Sequence, residues 1–390
     1  MLRRPVKNLL ALTALLFVAG PQLAQAQLSY LPVTYPDPEA LLNAPPKTVD
    51  NWTFVPIAGA KCRHGSDTGI AVRMVAGATK LMITVQGGGA CFSGASCAVN
   101  LGDYAEGDFE NAAKAGNFDR GVFDQTPSLQ NEVGSYSQVF IPYCTGDLFV
   151  GDKVTTVPGV QGVQSFVGYK DMELYFNYIA KRLVPMLGER PEVKLSGLSA
   201  GGYGALLNAS RLRTALPASV PLSVLDDSAP PFDSTLFLGC QQQRWSDTWG
   251  LQNTVVRDCG PSCSTSNWMN PAFVQLLNTQ PNVGFALASR SDDQVIQAFS
   301  YLFTSLWCAK DPTEAEYTAG LLRIRSQLNA SRPNNGATYF VRGTDHCFLN
   351  DHRYYDSSVN GYTLKGWAEG QFDHSTSTAF RPAYYFNAGP

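Results

Sequence analysis

The sequence predicts an α/β fold, a mostly parallel sheet covered by helices on both faces, and three observations carry that prediction. Short apolar runs alternate with stretches of helical period along most of the chain. Two of those runs, 80–86 and 221–225, stop abruptly in Gly87-Gly88-Gly89 and in Asp226-Asp227-Ser228, as buried strands do where they meet a loop at the sheet edge. A third run, 193–198, passes through one tight turn into a small-residue helix expected over 201–212.

Taken in order, 53–56 and 71–75 are short β-type runs around a polar turn and predict an opening hairpin. Strands are expected at 80–86 and 138–143. Met172, Leu174, Tyr175, Tyr178, Ile179 and Leu183 recur at helical spacing, which predicts a helix over 171–187 leading into the 193–198 strand. The rhythm then breaks. Residues 229–281 carry three cysteines, Trp245, Trp249, Trp268 and two Asn-rich turns, with no strand of useful length. That stretch is read as a cap inserted over the C-terminal edge of the sheet, its tryptophans mainly as packing residues. Alternation resumes with a strand at 283–288, helices at 294–306 and 314–328, and a last strand at 338–341. The tail from Asp351 is aromatic and reads as irregular, and 28–50, rich in proline, reads as an N-terminal arm.

The first 26 residues are set aside from the fold. Arg3, Arg4 and Lys7 precede an apolar run at 9–19, and Ala24-Gln25-Ala26 matches an A-x-A cleavage site. The run falls short of the roughly 20 residues a membrane span needs, so cleavage after Ala26 and an exported protein, secreted or periplasmic, are expected. The rest then reads as one catalytic domain, 27–390. Loss of three basic residues takes the formal net charge from −3 to −6. No basic run suits nucleic acid or an anionic membrane surface, so neither is expected as a partner. Nine cysteines in an exported chain read as disulfides, with Cys91/Cys97 and Cys259/Cys263 close enough for local clips and at least one thiol left over. Zinc-type C-x2-C pairs are missing, and no cofactor or metal is expected.

The chemistry centres on Gly197-Leu198-Ser199-Ala200-Gly201, a G-x-S-x-G turn between strand and helix. In that setting the serine sits strained at the tip, above the sheet, and flanking side chains larger than glycine's would collide with neighbouring backbone. A nucleophilic serine needs a histidine held by an acid. Only four histidines exist, and in the α/β-hydrolase chain order Ser, acid, His, the expected base is His346, just past the last strand, with His352 as fallback. His64 precedes the serine and is disfavoured. The acid is expected to be Asp292, in the loop after the 283–288 strand, with Asp293 next and the Asp226/Asp227 pair behind it. An aspartate there is also a common helix N-cap. Backbone N–H groups of Gly88, Gly89 and Ala200 are the expected donors to an oxyanion. A phosphate-binding loop would need a Gly-Lys-Ser/Thr ending, which this glycine run lacks.

These pieces, with Ile141-Pro142-Tyr143-Cys144-Thr145-Gly146-Asp147 and Asp345-His346-Cys347, give the chain a form that resembles the pectin acetylesterase/Notum family of extracellular serine carboxylesterases. The resemblance extends over roughly 62–349. It implies an α/β-hydrolase-type fold, a disulfide-stabilised and metal-free enzyme, and a triad that falls by position on Ser199, Asp292 and His346. Three departures stand out. Small residues, Gly89 and Ala90, replace the family's usual Trp; Leu148-Phe149 stand where a histidine usually follows the Tyr-Cys motif; and Ala229 replaces a glycine after Asp-Ser. The expected function is hydrolysis of O-acetyl or other short acyl esters on a polysaccharide such as pectin. A polyester or lipid-ester hydrolase and a catalytically silent binding protein are the alternatives.

Overall fold

The computed structural model describes residues 52–301, 308–332, 334–372 and 387–389. The expected leader, the N-terminal arm and His374 lie outside them. Eight strands form one sheet in the order β1-β2-β4-β3-β7-β8-β9-β10. They are β1 (Thr53–Lys61), β2 (Asp67–Arg73), β3 (Lys80–Val85), β4 (Ser137–Ile141), β7 (Glu192–Leu198), β8 (Leu222–Asp227), β9 (Gly284–Arg290) and β10 (Gly336–Val341). β1 and β2 are antiparallel, β2 pairs antiparallel with β4, and every later pairing is parallel. A short antiparallel hairpin, β5 (Lys153–Thr156) with β6 (Val163–Phe166), lies apart from the sheet. The predicted mostly parallel α/β architecture is the observed one.

The strands read as near-continuous apolar runs because both faces of the sheet are buried. Leu81, Ile83 and Val85 of β3 join one core while Met82 between them joins the other, the period of two that a pleated strand imposes. The first core also takes in α3 (Gly168–Tyr178), α4 (Ala200–Ala215) and α9 (Glu314–Ser331). The predicted helix over 171–187 begins as α3 and runs on through a π turn and a 3-10 turn to Met186. After the short α1 (Gly94–Ala98), the second core is closed by α2 (Glu106–Lys114), through Phe109, and by α11 (Leu364–Phe372), through Leu364 and Trp367.

That last helix corrects the reading of the tail. Gly366 and Gly370 weaken the local helical signal, and the helix is stabilised by tertiary packing, with Trp367 5.2 Å from the ring of Tyr339 on β10. A further short turn of helix, α10 (Arg353–Asp356), precedes it. In the insertion, the described residues form α5 (Gly239–Trp249), α6 (Val255–Cys259) and α7 (Met269–Thr279). Of these, α7 packs on α4 and α9. Trp249 and Trp268 are fully buried, and Trp245 stacks on Trp249 at 5.8 Å. Four disulfides pair Cys62–Cys144, Cys91–Cys97, Cys240–Cys308 and Cys259–Cys263, which include both local clips, and Cys347 is the buried free thiol.

Candidate active site

Parallel strands deliver their C-terminal ends to one edge, which is where open α/β sheets build their sites. β3 ends at the glycine loop, β7 at Ser199, β8 at Asp227, β9 ahead of Asp292 and Asp293, and β10 ahead of His346. Ser199 has φ 55° and ψ −122°, a conformation non-glycine residues rarely adopt. The surroundings enforce it. A Cβ on Gly197 would lie 2.0 Å from the carbonyl oxygen of Gly201, and one on Gly201 would lie 2.1 Å from that of Val85. Only glycine fits at either place, as the motif requires. The Ser199 N–H is fixed in turn by the carbonyl of Asp227 at 2.8 Å.

His346 Nδ1 lies 2.7 Å from Asp293 Oδ2, and the Asp293 carboxylate is fully buried. The other oxygen of Asp293 accepts the N–H groups of Val295 (3.0 Å) and Ile296 (3.1 Å). It thereby caps α8 (Gln294–Tyr301). One aspartate is both the helix cap and the partner of the imidazole. Asp292, the expected acid, instead accepts the side-chain amide of Gln297 at 2.6 Å. The capping requirement explains the displacement by one residue, since the first turn of α8 draws in the aspartate immediately before Gln294. His346 Nε2 is buried and has no hydrogen-bond partner among the described residues. It faces the requirement that any base in this cleft must meet, a bare ring nitrogen with the other nitrogen tied to an acid.

The remaining candidates fall outside this pair. Asp226 is buried with its carboxyl pushed well above the ordinary range by burial. Asp227 is also fully buried and raised by burial, an effect its hydrogen bonds to the Leu349 and Phe348 amides oppose. His64 pairs with Asp103 at 2.6 Å on the surface, and the His352 side chain is 78% exposed.

Two spaces meet at Ser199. A cleft of about 470 Å³ is lined by Ser199, His346 and the glycine loop, with Asn117, Arg120 and Asn350 among its polar walls. An apolar cavity of about 30 Å³ also reaches Ser199, walled by Ala90, Leu148, Tyr203, Phe237, Trp245 and Phe299 among others. Gly89 and Ala90 border this cavity. The ring of Phe299 on α8 stands against them, and a Cβ on Gly89 would lie 3.0 Å from it.

Gly88 and Gly89, the two expected loop donors, line the cleft, and Ala200 borders the apolar cavity beside Ser199. Asn100, which no motif marked, donates its side-chain amide to the Gly88 carbonyl at 2.7 Å. Because a trans peptide points its N–H opposite its C=O, this bond fixes the direction of the Gly89 N–H. Only the fold brings Asn100 under the loop, through the Cys91–Cys97 clip three residues before it.

The family model for Pectinacetylesterase matches residues 44–274. Over 202 residues the chain is 26% identical to the palmitoleoyl-protein carboxylesterase notum2 of Xenopus laevis, an alignment covering 50% of this chain and 39% of that protein. It is 25% identical over 214 residues to the palmitoleoyl-protein carboxylesterase NOTUM of Schmidtea mediterranea, covering 54% and 38%. The alignments thus span well under half the length of those relatives. Among solved structures, the Wnt deacylase Notum from Drosophila superposes with a TM-score of 0.57 at 17% identity, covering 81% of this chain and 91% of that one. With the family match running through the glycine loop, the serine turn and most of the insertion, the chain belongs to the pectinacetylesterase family.

Proposed function

We propose that this chain is an exported serine carboxylesterase that removes acetyl or similarly short acyl groups, with a polysaccharide as the acylated partner. The observation that carries the reading is His346, tied at Nδ1 to the buried Asp293 and bare at Nε2, in the same cleft as a strained Ser199. Ser199 Oγ attacks the acyl carbon while His346 takes its proton. Asp293 holds the imidazole in the tautomer that accepts at Nε2 and stabilises the imidazolium that follows. N–H groups of Gly88, Gly89 and Ala200 receive the oxyanion. The alcohol leaves with the proton returned by His346, and water clears the acyl-enzyme by the same route.

The proposed acyl length rests on the apolar pocket, whose free space of about 30 Å³ suits a small group such as an acetyl methyl. The wider cleft with Asn117, Arg120 and Asn350 suits a polar alcohol such as a sugar. Export is supported by the leader pattern and the four disulfides. Among the described residues no helix is long and apolar enough to cross a membrane.

The test is initial-rate hydrolysis of p-nitrophenyl esters from acetate to palmitate by wild type, Ser199→Ala and His346→Ala. Activity confined to the shortest esters and lost in both variants is expected. A long-chain optimum would move the assignment to lipid or polyester substrates, and absence of Ser199-dependent turnover on any ester would leave the silent binding protein.

A further inference from the structure

We propose that Asp227 is a positioning residue that locks the serine turn and the histidine loop into one mutual geometry. The inference rests on the esterase reading above. β8 lies between β7 and β9, with Asp227 paired to Leu198 on one side and to Ala288 on the other. Its carbonyl accepts the N–H of Ser199 at 2.8 Å. Its carboxylate reaches the other way: Oδ2 accepts the N–H groups of Phe348 and Leu349, both at 2.8 Å. Oδ1 accepts the hydroxyl of Ser228 at 2.9 Å, and that hydroxyl accepts the N–H of Cys347 at 3.1 Å. The three residues that follow His346 are therefore all gripped, directly or through Ser228, by the strand end that also holds the nucleophile's backbone.

Two further features separate this arrangement from ordinary core packing. Asp227 is completely buried, and an apolar side chain would fill such a site without the desolvation cost of a carboxylate. Ser228 (φ 64°) and Cys347 (φ 62°) are both left-handed non-glycine residues joined by the Cys347 N–H bond. Such strain persists where the surroundings over-determine it, and it gathers at functional sites. The Ser228 N–H is in turn held by the Ala288 carbonyl at 2.8 Å on β9, the strand that carries Asp293 at its end. All three members of the catalytic set are thus referenced to one strand terminus.

The inference is tested with wild type, Ser199→Ala, Asp227→Asn, Asp227→Ala and Ser228→Ala, measuring kcat and KM on p-nitrophenyl acetate together with the thermal midpoint. Asparagine keeps an oxygen toward Phe348 and Leu349 and turns its amide to the Ser228 hydroxyl, so Asp227→Asn is expected within about 10-fold of wild-type kcat. Alanine orphans both N–H groups, and kcat is expected to fall at least about 100-fold with KM within about 3-fold, the pattern of lost transition-state geometry. Ser228→Ala leaves the Asp227 grip on Phe348 and Leu349 but frees the Cys347 N–H. It is expected to lose about 10-fold in kcat with its melting transition preserved, and it decides the matter if Asp227→Ala does not fold. Folded Asp227→Ala or Ser228→Ala protein with wild-type kcat overturns the positioning role alone. Wild type no faster than Ser199→Ala overturns the esterase reading and this inference with it.

Discussion

Exchanging the two adjacent aspartates one at a time separates the local geometry from the motif position. In Asp293→Asn the retained oxygen still caps Val295 and Ile296, so α8 keeps its start. The new amide faces His346 Nδ1, now as a donor, and forces that nitrogen to accept. The imidazole proton moves to Nε2, the nitrogen that must take the serine proton. Loss of a hydrogen bond to a buried charge accounts for about 1.5–3 kcal/mol, or about 10- to 100-fold at about 1.4 kcal/mol per decade. Reversal of the tautomer carries the expected loss in kcat to about 10⁴-fold, the size seen when a triad aspartate becomes an amide. Asp292→Asn removes one acceptor from Gln297 and is expected to stay within about 5-fold, since a single partly buried hydrogen bond is worth about 1 kcal/mol. The assay is p-nitrophenyl acetate hydrolysis over a pH series, with circular dichroism to confirm folding. A larger loss in Asp292→Asn than in Asp293→Asn would refute the reasoning, because the histidine partner would then be Asp292.

The other expectations follow from the two spaces at Ser199 and from buried groups. Phe299→Ala removes the ring against Gly89, and the ester optimum is expected to move from acetate toward butyrate or longer; an unchanged chain-length profile counts against the cavity as the acyl site. Asn100→Ala frees the Gly88 carbonyl, and kcat is expected to fall about 10²-fold, the range for a lost oxyanion donor, with KM little changed on the same esters. Burial raises the Asp147 carboxyl to about 6 from its ordinary 3.8, an effect its hydrogen bonds to Thr145, Gly168 and Phe149 only partly offset. A raised carboxyl favours the fold fully below the unfolded value and loses that contribution as pH climbs through about 6, an effect of about 2–3 kcal/mol. The thermal midpoint of Asp147→Asn is therefore expected to fall less than that of wild type between pH 4 and pH 7, and equal slopes by calorimetry would exclude this role.

What the sequence revealed was whatever a local pattern can encode. The strand-turn-helix around Ser199 needed glycines at two fixed offsets, and those glycines stand against the Val85 and Gly201 carbonyls as the motif demanded. His346 was legible because few histidines competed and because it followed a strand. The sheet was legible because parallel strands buried on both faces are written as apolar runs. Asp292 against Asp293 was not legible, since both occupy one loop and the choice depends on where α8 begins. Helix starts are set by caps that only the folded loop defines. Asn100 escaped, and Asp227 was read only as a reserve acid, for a related reason: each acts on a backbone group outside its own local motif, Gly88 in one case and Phe348 with Leu349 in the other. The helix at Leu364–Phe372 was hidden because its stability comes from Trp367 on Tyr339 rather than from propensity.

The same contrast bears on how substrate choice is built. The residues proposed to perform and position acyl transfer stand at the ends of five adjacent parallel strands, β3, β7, β8, β9 and β10, of which all but the edge strand β10 are paired on both sides. The apolar cavity is built only partly that way. Beyond the glycine loop, the serine turn and Tyr203, its walls come from the loop residue Leu148, from Phe237 and Trp245 at the insertion, and from Ile296 and Phe299 on α8. Phe299, from a different element, stands against the glycine loop, 3.0 Å from where a Cβ on Gly89 would lie. On the proposed reading, chain-length preference would be set by the packing of α8 and the insertion against the glycine loop. The Cys240–Cys308 bridge links the start of α5 to the segment after α8 and holds those two elements together. Substitutions at Phe299 and Trp245 should accordingly change which acyl group is taken while leaving the His346–Asp293 pair as it is.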